Sequence, residues 1–168
     1  MSNIKAIIFD IDGVLTNGGI TIDSRGDEIK TFNVRDGQLI DFMRSQGYIF
    51  GAISGRYSKA LEFRLKEMNV DFVRLGVKNK YIVLREILDE FKLSQTEVAY
   101  IGDDVIDVEV LKFVAYSYAP CDASNYVKDI VQTVTNAKGG EGVLREVIDG
   151  IISKNQKLKS LLMSNFKL

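Results

Sequence analysis

Continuous apolar runs recur along the chain, and the first of them ends abruptly at Asp10. A short run without polar alternation is typical of a strand that is buried on both faces of a sheet. We therefore predict strands at Ile4–Phe9, Ile49–Ile53, Phe72–Leu75 and Val98–Ile101, with a weaker fifth at Ala115–Tyr118.

The segments between these runs have the hydrophobic pattern of helices. Apolar residues recur there three or four positions apart, which places them on one face of a helix. The stripes are Leu39, Ile40 and Met43; Leu61, Leu65 and Met68; Tyr81, Leu84, Ile87, Leu88 and Phe91; and Val143, Leu144, Val147, Ile148, Ile151 and Ile152. Alternating strands and helices are typical of a parallel sheet with helices on both faces. The pattern predicts a doubly wound, Rossmann-like α/β fold.

One segment interrupts this alternation directly after the first strand. Residues 16–35 read as a β-hairpin, with arms at 20–22 and 29–34 and a polar turn that contains Gly26. The connections elsewhere are too short for an inserted domain, so we expect no cap domain. We predict one domain over residues 1–153, followed by a tail at 154–168 that forms an amphipathic helix and either frays or docks on a partner.

The composition limits the possible binding partners, catalytic groups and cellular compartment of the protein. The 22 basic and 23 acidic residues leave a net charge of −1, so no positive field favours nucleic acid or an anionic membrane. We expect neither a signal peptide nor a membrane span, and the single cysteine, Cys121, favours a reducing compartment, the cytoplasm. With no histidine in the chain, Ser-His-Asp catalysis and imidazole zinc sites are excluded.

Aspartates follow two of the predicted strands. The first strand leads into Asp10 and Asp12, and the fourth leads into Asp103, Asp104 and Asp107. Ligands of doubly wound sheets bind at the carboxyl ends of the strands, and crowded carboxylates repel one another unless a cation lies among them. We therefore expect a magnesium site, since this hard cation prefers oxygen ligands. These residues could instead be helix caps and turn formers, an alternative that stays open above all for Asp107.

The other two strand ends carry groups that suit an anion. Ser54 and Arg56 follow the second strand, where a hydroxyl and free N–H groups at a helix start can bind a phosphate. Lys80 lies where the next helix is expected to begin, a position that the helix dipole makes unfavourable for a lysine. A plain helix cap would explain the Ser54 segment equally well.

The order of these groups resembles the four motifs of the haloacid dehalogenase superfamily over nearly the whole chain. Asp10–Leu15, Ser54, Lys80 and Gly102–Asp107 are the matching positions. The resemblance implies that Asp10 is a nucleophile that forms an aspartyl-phosphate and that Asp12 is the general acid and base. It also implies that Ser54 and Lys80 hold the phosphoryl group. Magnesium would be bound by Asp10, the Asp12 carbonyl and Asp103, with Asp104 preferred to Asp107 as a further ligand.

A narrower resemblance comes from the hairpin and from two segments, 30–37 and 139–146. They are similar to the 3-deoxy-D-manno-octulosonate 8-phosphate phosphatases of lipopolysaccharide synthesis, which are capless tetramers associated through their hairpins. This implies a small sugar-acid substrate, whose carboxylate Arg56 and Arg35 could bind. Glu141 departs from that group and is found in phosphatases of nine-carbon keto-deoxy sugar acids, whereas Arg56 favours the octulosonate.

Two rival functions remain. Capless domains of this type are also attached to cytidylyltransferases, where they could serve oligomerisation without catalysis. A broad phosphatase that also accepts phosphoproteins is the second rival, because an open site admits large substrates. The presence of Asp10, Asp12, Lys80 and Asp103 together favours an enzyme.

Overall fold

Six parallel strands form one sheet in the computed structural model, which describes residues 3–167. They are β1 (Ala6–Phe9), β4 (Ile49–Ile53), β5 (Phe72–Arg74), β6 (Val98–Ile101), β7 (Tyr116–Ala119) and β8 (Thr133–Val134), in the spatial order β5-β4-β1-β6-β7-β8. The five predicted strands are confirmed. The pattern missed β8, a two-residue edge strand whose side chains are exposed.

Helices cover both faces of the sheet. They are α1 (Ile40–Ser45), α2 (Lys59–Glu67), α3 (Lys80–Phe91), α4 (Val108–Phe113), α5 (Asn125–Lys128), α6 (Val143–Ser153) and α7 (Gln156–Phe166), with 3-10 turns at Val34–Gly37, Gln95–Glu97 and Val105–Asp107. Side chains alternate along β1, so Ile7 packs with α1, α2 and α6 while Ile8 packs with α3 and α4. The doubly wound fold is therefore confirmed.

The hairpin follows β1 but is shorter than predicted. Its strands, β2 (Thr21–Ile22) and β3 (Glu28–Ile29), pair antiparallel over two residues each. The predicted second arm does not reach residue 34, because the Asn33 side chain accepts the Arg35 N–H and starts a 3-10 turn. Within the described residues no cap domain is evident.

The tail forms the helix α7 and packs on its own domain. Leu158 is buried against the core, and the Phe166 ring lies 6.5 Å from that of Phe42. The division at residue 153 stays a prediction, and residues 1, 2 and 168 of the two predicted segments lie outside the described part of the chain. Among the helices of residues 3–167, none has the length and apolarity to cross a bilayer.

Candidate active site

The candidate site lies where β1 and β6 end side by side. Their register pairs Phe9 with Ile101, and the Asp10 N–H donates to the Ile101 carbonyl at 2.9 Å. Since β1 also pairs with β4, the segments after three adjacent strands meet at this edge. This is the position at which doubly wound sheets bind ligands.

Three carboxylates crowd together at this edge. Oxygens of Asp10, Asp103 and Asp107 lie within 4.8 Å of one another, and Asp107 is fully buried. Burial raises the pKa of Asp10 to about 7, although the charge of Lys80 opposes the change. Burial and the charges of Asp10 and Asp107 raise the pKa of Asp103 to about 8. Such carboxylates are costly to ionise together without a cation.

The donor set fits a magnesium ion. All three groups offer hard oxygen ligands, and Asp10 Oδ1 is buried with no hydrogen-bond partner among residues 3–167. The loop after β1 passes directly against the cluster: a Cβ on Gly13, whose φ is +87°, would lie 1.9 Å from Asp103 Oδ2. A Cβ on Gly102 would likewise lie 2.5 Å from Asp107 Cγ. Both glycines are therefore needed for the carboxylates to converge.

Lys80 balances part of this negative charge. Its Nζ lies 2.8 Å from Asp10 Oδ2 and 2.7 Å from Asp107 Oδ1, and it is the first residue of α3, as predicted. Burial alone would lower the pKa of Lys80, but the charges of Asp10 and Asp107 raise it, so the ammonium stays charged. The buried Tyr100 hydroxyl also donates to Asp107 Oδ1 at 2.7 Å. Sequence reasoning missed Tyr100, whose only signal is a polar group within an apolar strand.

Asp104 and Asp107 differ in what they contact. Asp104 Oδ1 accepts from the Val105 N–H and the Tyr126 hydroxyl, both at 2.7 Å, so it caps the 3-10 turn. Asp107 Oδ2 instead accepts the Asp103 N–H at 3.2 Å, inside the cluster. The sequence preferred Asp104 as a further ligand. Asp107 lies inside the cluster, but Lys80, Tyr100 and the Asp103 N–H occupy both of its oxygens. Asp104 lines the cavity and uses only Oδ1, so the preference for Asp104 stays a prediction.

A cavity of about 410 Å³ under the hairpin and one of about 330 Å³ at the strand ends share Arg56. The smaller cavity is lined by Asp10, Asp12, Ser54, Arg56, Asp103 and Asp104. Ser54 is buried, and its Oγ accepts the Arg56 N–H at 3.2 Å. The structure thus brings all the predicted catalytic and metal residues to one place, with Lys80 beneath Asp10.

Hairpin side chains reach into the site. Lys30 Nζ lies 2.5 Å from Asp12 Oδ1 and 2.9 Å from Glu28 Oε1. Arg56 contacts the same carboxylates, with Nη2 at 3.2 Å from Glu28 Oε1 and Nε at 3.7 Å from Asp12 Oδ2. The sequence analysis singled out neither Glu28 nor Lys30, because no local pattern indicates which way a short hairpin folds back.

Arg35 is not part of either cavity. It is exposed on the 3-10 turn, and its role in substrate binding stays a prediction. The neighbouring Asp36 is buried, and its Oδ1 accepts the Arg145 N–H at 3.0 Å in the first turn of α6. Burial raises the pKa of Asp36 to about 6. Asp36 therefore links the base of the hairpin to α6 and lies outside the candidate site.

Comparison with known proteins gives consistent results. The family model for haloacid dehalogenase-like hydrolases matches residues 63–147. The 3-deoxy-D-manno-octulosonate 8-phosphate phosphatase KdsC of Yersinia pestis is 37% identical over 158 residues, covering 94% of this chain and 84% of the relative.

Two solved structures are also similar. A probable yrbi family phosphatase from Pseudomonas syringae superimposes with a TM-score of 0.93 at 36% identity, covering 98% of this chain and 94% of the other. The 3-deoxy-D-manno-octulosonate 8-phosphate phosphatase of Moraxella catarrhalis, in complex with magnesium, phosphate and KDO, has a TM-score of 0.92 at 26% identity, with coverage of 97% and 94%.

Proposed function

This chain belongs to the haloacid dehalogenase-like hydrolases, and we propose that it is a magnesium-dependent phosphatase of 3-deoxy-D-manno-octulosonate 8-phosphate. The observation that carries the proposal is the single cavity lined by Asp10, Asp12, Ser54 and Asp103, with Lys80 beneath it. The relatives named for this activity match the chain over almost its entire length. The chain is thus proposed to act in lipopolysaccharide synthesis, in the cytoplasm.

We propose Asp10 as the nucleophile. One of its carboxylate oxygens attacks phosphorus, the bond from phosphorus to the sugar oxygen breaks, and an aspartyl-phosphate forms. Water then attacks this phosphorus, which releases inorganic phosphate and restores Asp10. Lys80 supports this role because it holds Asp10 Oδ2 at 2.8 Å and so orients the carboxylate.

Asp12 is proposed to move the protons. It gives a proton to the departing sugar alkoxide and later takes one from the attacking water. Its Oδ2 has no hydrogen-bond partner among the described residues, which leaves one oxygen available for this transfer. Ser54 and Lys80 would hold phosphoryl oxygens and offset their charge.

The magnesium ion would be held by Asp10, the Asp12 carbonyl, Asp103 and either Asp104 or Asp107. When bound, it supplies a positive charge that stabilises the negative phosphoryl oxygens. The crowded carboxylates of Asp10 and Asp103 support this assignment. Their pKa values are raised, and a bound cation would favour their ionised forms.

For the sugar carboxylate we propose Arg56 and Arg35. Arg56 is the better supported of the two, since its guanidinium lies between the two cavities and already contacts carboxylates there. An incoming substrate carboxylate would compete with Glu28 for it. Arg35 would have to reach the substrate from a neighbouring subunit.

We propose a homotetramer built through the hairpin. Ile20, Ile22 and Ile29 expose 53%, 63% and 54% of their surface, so both faces of the hairpin present large apolar side chains to water. A two-stranded hairpin is marginally stable unless it packs on something. A second subunit would cover these residues and would also help to exclude water from the cavity.

The test is a phosphate-release assay with magnesium and with a chelator. The panel holds 3-deoxy-D-manno-octulosonate 8-phosphate, a nine-carbon keto-deoxy sugar acid phosphate, a nucleotide, a phosphopeptide and an aryl phosphate. We expect magnesium-dependent release with the eight-carbon substrate preferred. A preference for the nine-carbon sugar acid phosphate would identify that compound as the substrate, as Glu141 suggests. Release from none of the panel would favour the non-catalytic oligomerisation domain.

A further inference from the structure

Lys30 is a hairpin lysine whose side chain is wholly shielded from solvent. Burying an ammonium group costs several kcal/mol unless charged partners compensate it. Both partners here are carboxylates: Asp12 Oδ1 at 2.5 Å and Glu28 Oε1 at 2.9 Å. Glu28 lies two residues before Lys30 in the same arm of the hairpin. Its carboxylate therefore anchors the Lys30 side chain and directs Nζ at Asp12.

The direction follows from the alternation of side chains along a strand. Glu28 and Lys30 are two residues apart and share the face of the hairpin that contacts Asp12 and Arg56. Ile29, between them, points to the opposite face and is exposed. The segment 28–30 thus directs its two charged side chains to one face of the hairpin and Ile29 to the other.

The two oxygens of Asp12 have different surroundings. Oδ1 accepts from Lys30 Nζ and, at 3.3 Å, from the Thr16 hydroxyl. Oδ2 has no hydrogen-bond partner among residues 3–167, and Arg56 Nε lies 3.7 Å away from it. The carboxylate is therefore held through Oδ1, and Oδ2, which is buried beside Arg56, keeps its hydrogen-bonding capacity for the substrate.

We infer that Lys30 is a positioning residue for the proposed reaction: by holding Asp12 Oδ1, it presents Oδ2 to the oxygen of the leaving sugar. Lys30 itself touches neither phosphorus nor the leaving group. The bond from phosphorus to the sugar oxygen breaks, that oxygen takes the proton from Asp12 Oδ2, and the same oxygen of Asp12 later accepts the proton of the attacking water. This inference rests on the phosphatase function proposed above.

The test compares leaving groups. A sugar alkoxide needs the proton as it departs, whereas para-nitrophenolate leaves without it. We would measure kcat and KM of wild type, Lys30→Met and Lys30→Arg with magnesium, on the octulosonate 8-phosphate and on para-nitrophenyl phosphate. Arg25→Met is the matched control, since Arg25 is a hairpin cation with a side chain 78% exposed whose partners among residues 3–167 are Asp23 and Asp27 of the turn.

We expect Lys30→Met to lower kcat on the sugar phosphate by about 10- to 100-fold, less than the roughly 10²- to 10⁴-fold that general acid catalysis contributes, because Asp12 itself remains. On the aryl phosphate its kcat should stay within about threefold of wild type, Lys30→Arg should recover part of the loss, and the control should resemble wild type. Equal losses on both substrates, or a change in KM alone, would overturn the inference.

A second variant covers the case in which Lys30→Met does not fold, as judged by circular dichroism and sedimentation. Glu28→Gln leaves Lys30 in place and loosens its anchor, so it should show a smaller loss with the same dependence on the leaving group. A Glu28→Gln enzyme that loses activity equally on both substrates would contradict the inference. Failure of the proposed function would look different, because wild type itself would then release no phosphate from the sugar.

Discussion

Magnesium binding to this site should release protons, and the number should depend on pH. The reason lies in Asp10 and Asp103, whose pKa values burial raises to about 7 and about 8. A magnesium ion binds the deprotonated carboxylates, so any proton that they carry must leave when the ion enters. The experiment therefore varies the pH at which magnesium is titrated into the protein.

The magnitude follows from these two pKa values. Near pH 6 both groups are mostly protonated, and binding should release nearly two protons. Near pH 7 Asp10 is about half protonated and Asp103 mostly protonated, so roughly one and a half protons should leave. Near pH 9 almost none remains to be released. The affinity for magnesium should therefore rise with pH up to about 9 and then level off.

Isothermal titration calorimetry in two buffers of different ionisation enthalpy measures the released protons. Asp103→Asn should bind magnesium weakly and release fewer protons, and excess metal should recover part of its activity. Asp41→Asn is the matched control and should resemble wild type, since the side chain of this α1 aspartate is 77% exposed and contacts Asn69 and Arg44, outside the cluster. Equal affinities at pH 6 and pH 8, without proton release, would refute the reasoning.

Three further predictions concern single residues. Asp12→Asn should lose most activity on the sugar phosphate and little on an activated aryl phosphate, measured as kcat, because only the alkoxide needs a proton; equal losses would place the acid elsewhere. Ile22→Asp should dissociate the oligomer in sedimentation, because an unpaired buried carboxylate is costly, and should reduce sugar-phosphate turnover more than aryl-phosphate turnover; a fully active wild-type monomer would contradict this. Asp36, whose pKa burial raises to about 6, binds a proton more readily in the folded than in the unfolded chain, so its ionisation destabilises the fold as pH rises through 6. Asp36→Asn should therefore gain free energy of unfolding relative to wild type as pH rises from about 4 to about 6, by up to about 3 kcal/mol in urea titrations, and a constant difference would argue against it.

The fold and the acidic edge could be predicted because their signals are local. An apolar run that ends in Asp10, and another that ends in Asp103, each indicate a buried strand followed by a polar loop. The alternation with helices makes the sheet parallel, and parallel strands end at the same edge. Once the strands are in place, the meeting of these carboxylates follows from topology alone.

The remaining details depend on geometry that no local pattern contains. The 3-10 turn at Val105–Asp107 decides which carboxylate enters the cluster. Asp104 caps the start of this turn, and Asp107 points from its end into the cluster. The pairing of Lys30 with Asp12 joins residues 18 positions apart through a hairpin of two-residue strands. Such strands have too few side chains for periodicity to define their orientation.

The most direct measurement is phosphate release from 3-deoxy-D-manno-octulosonate 8-phosphate by wild type and by Asp10→Asn, with magnesium present. Asparagine keeps the shape of the side chain but cannot form the aspartyl-phosphate that the mechanism requires. We expect turnover by wild type that a chelator stops, and none by a folded Asp10→Asn variant. If that variant retained even about a tenth of the wild-type rate, Asp10 would not be the nucleophile and the proposed mechanism would be wrong.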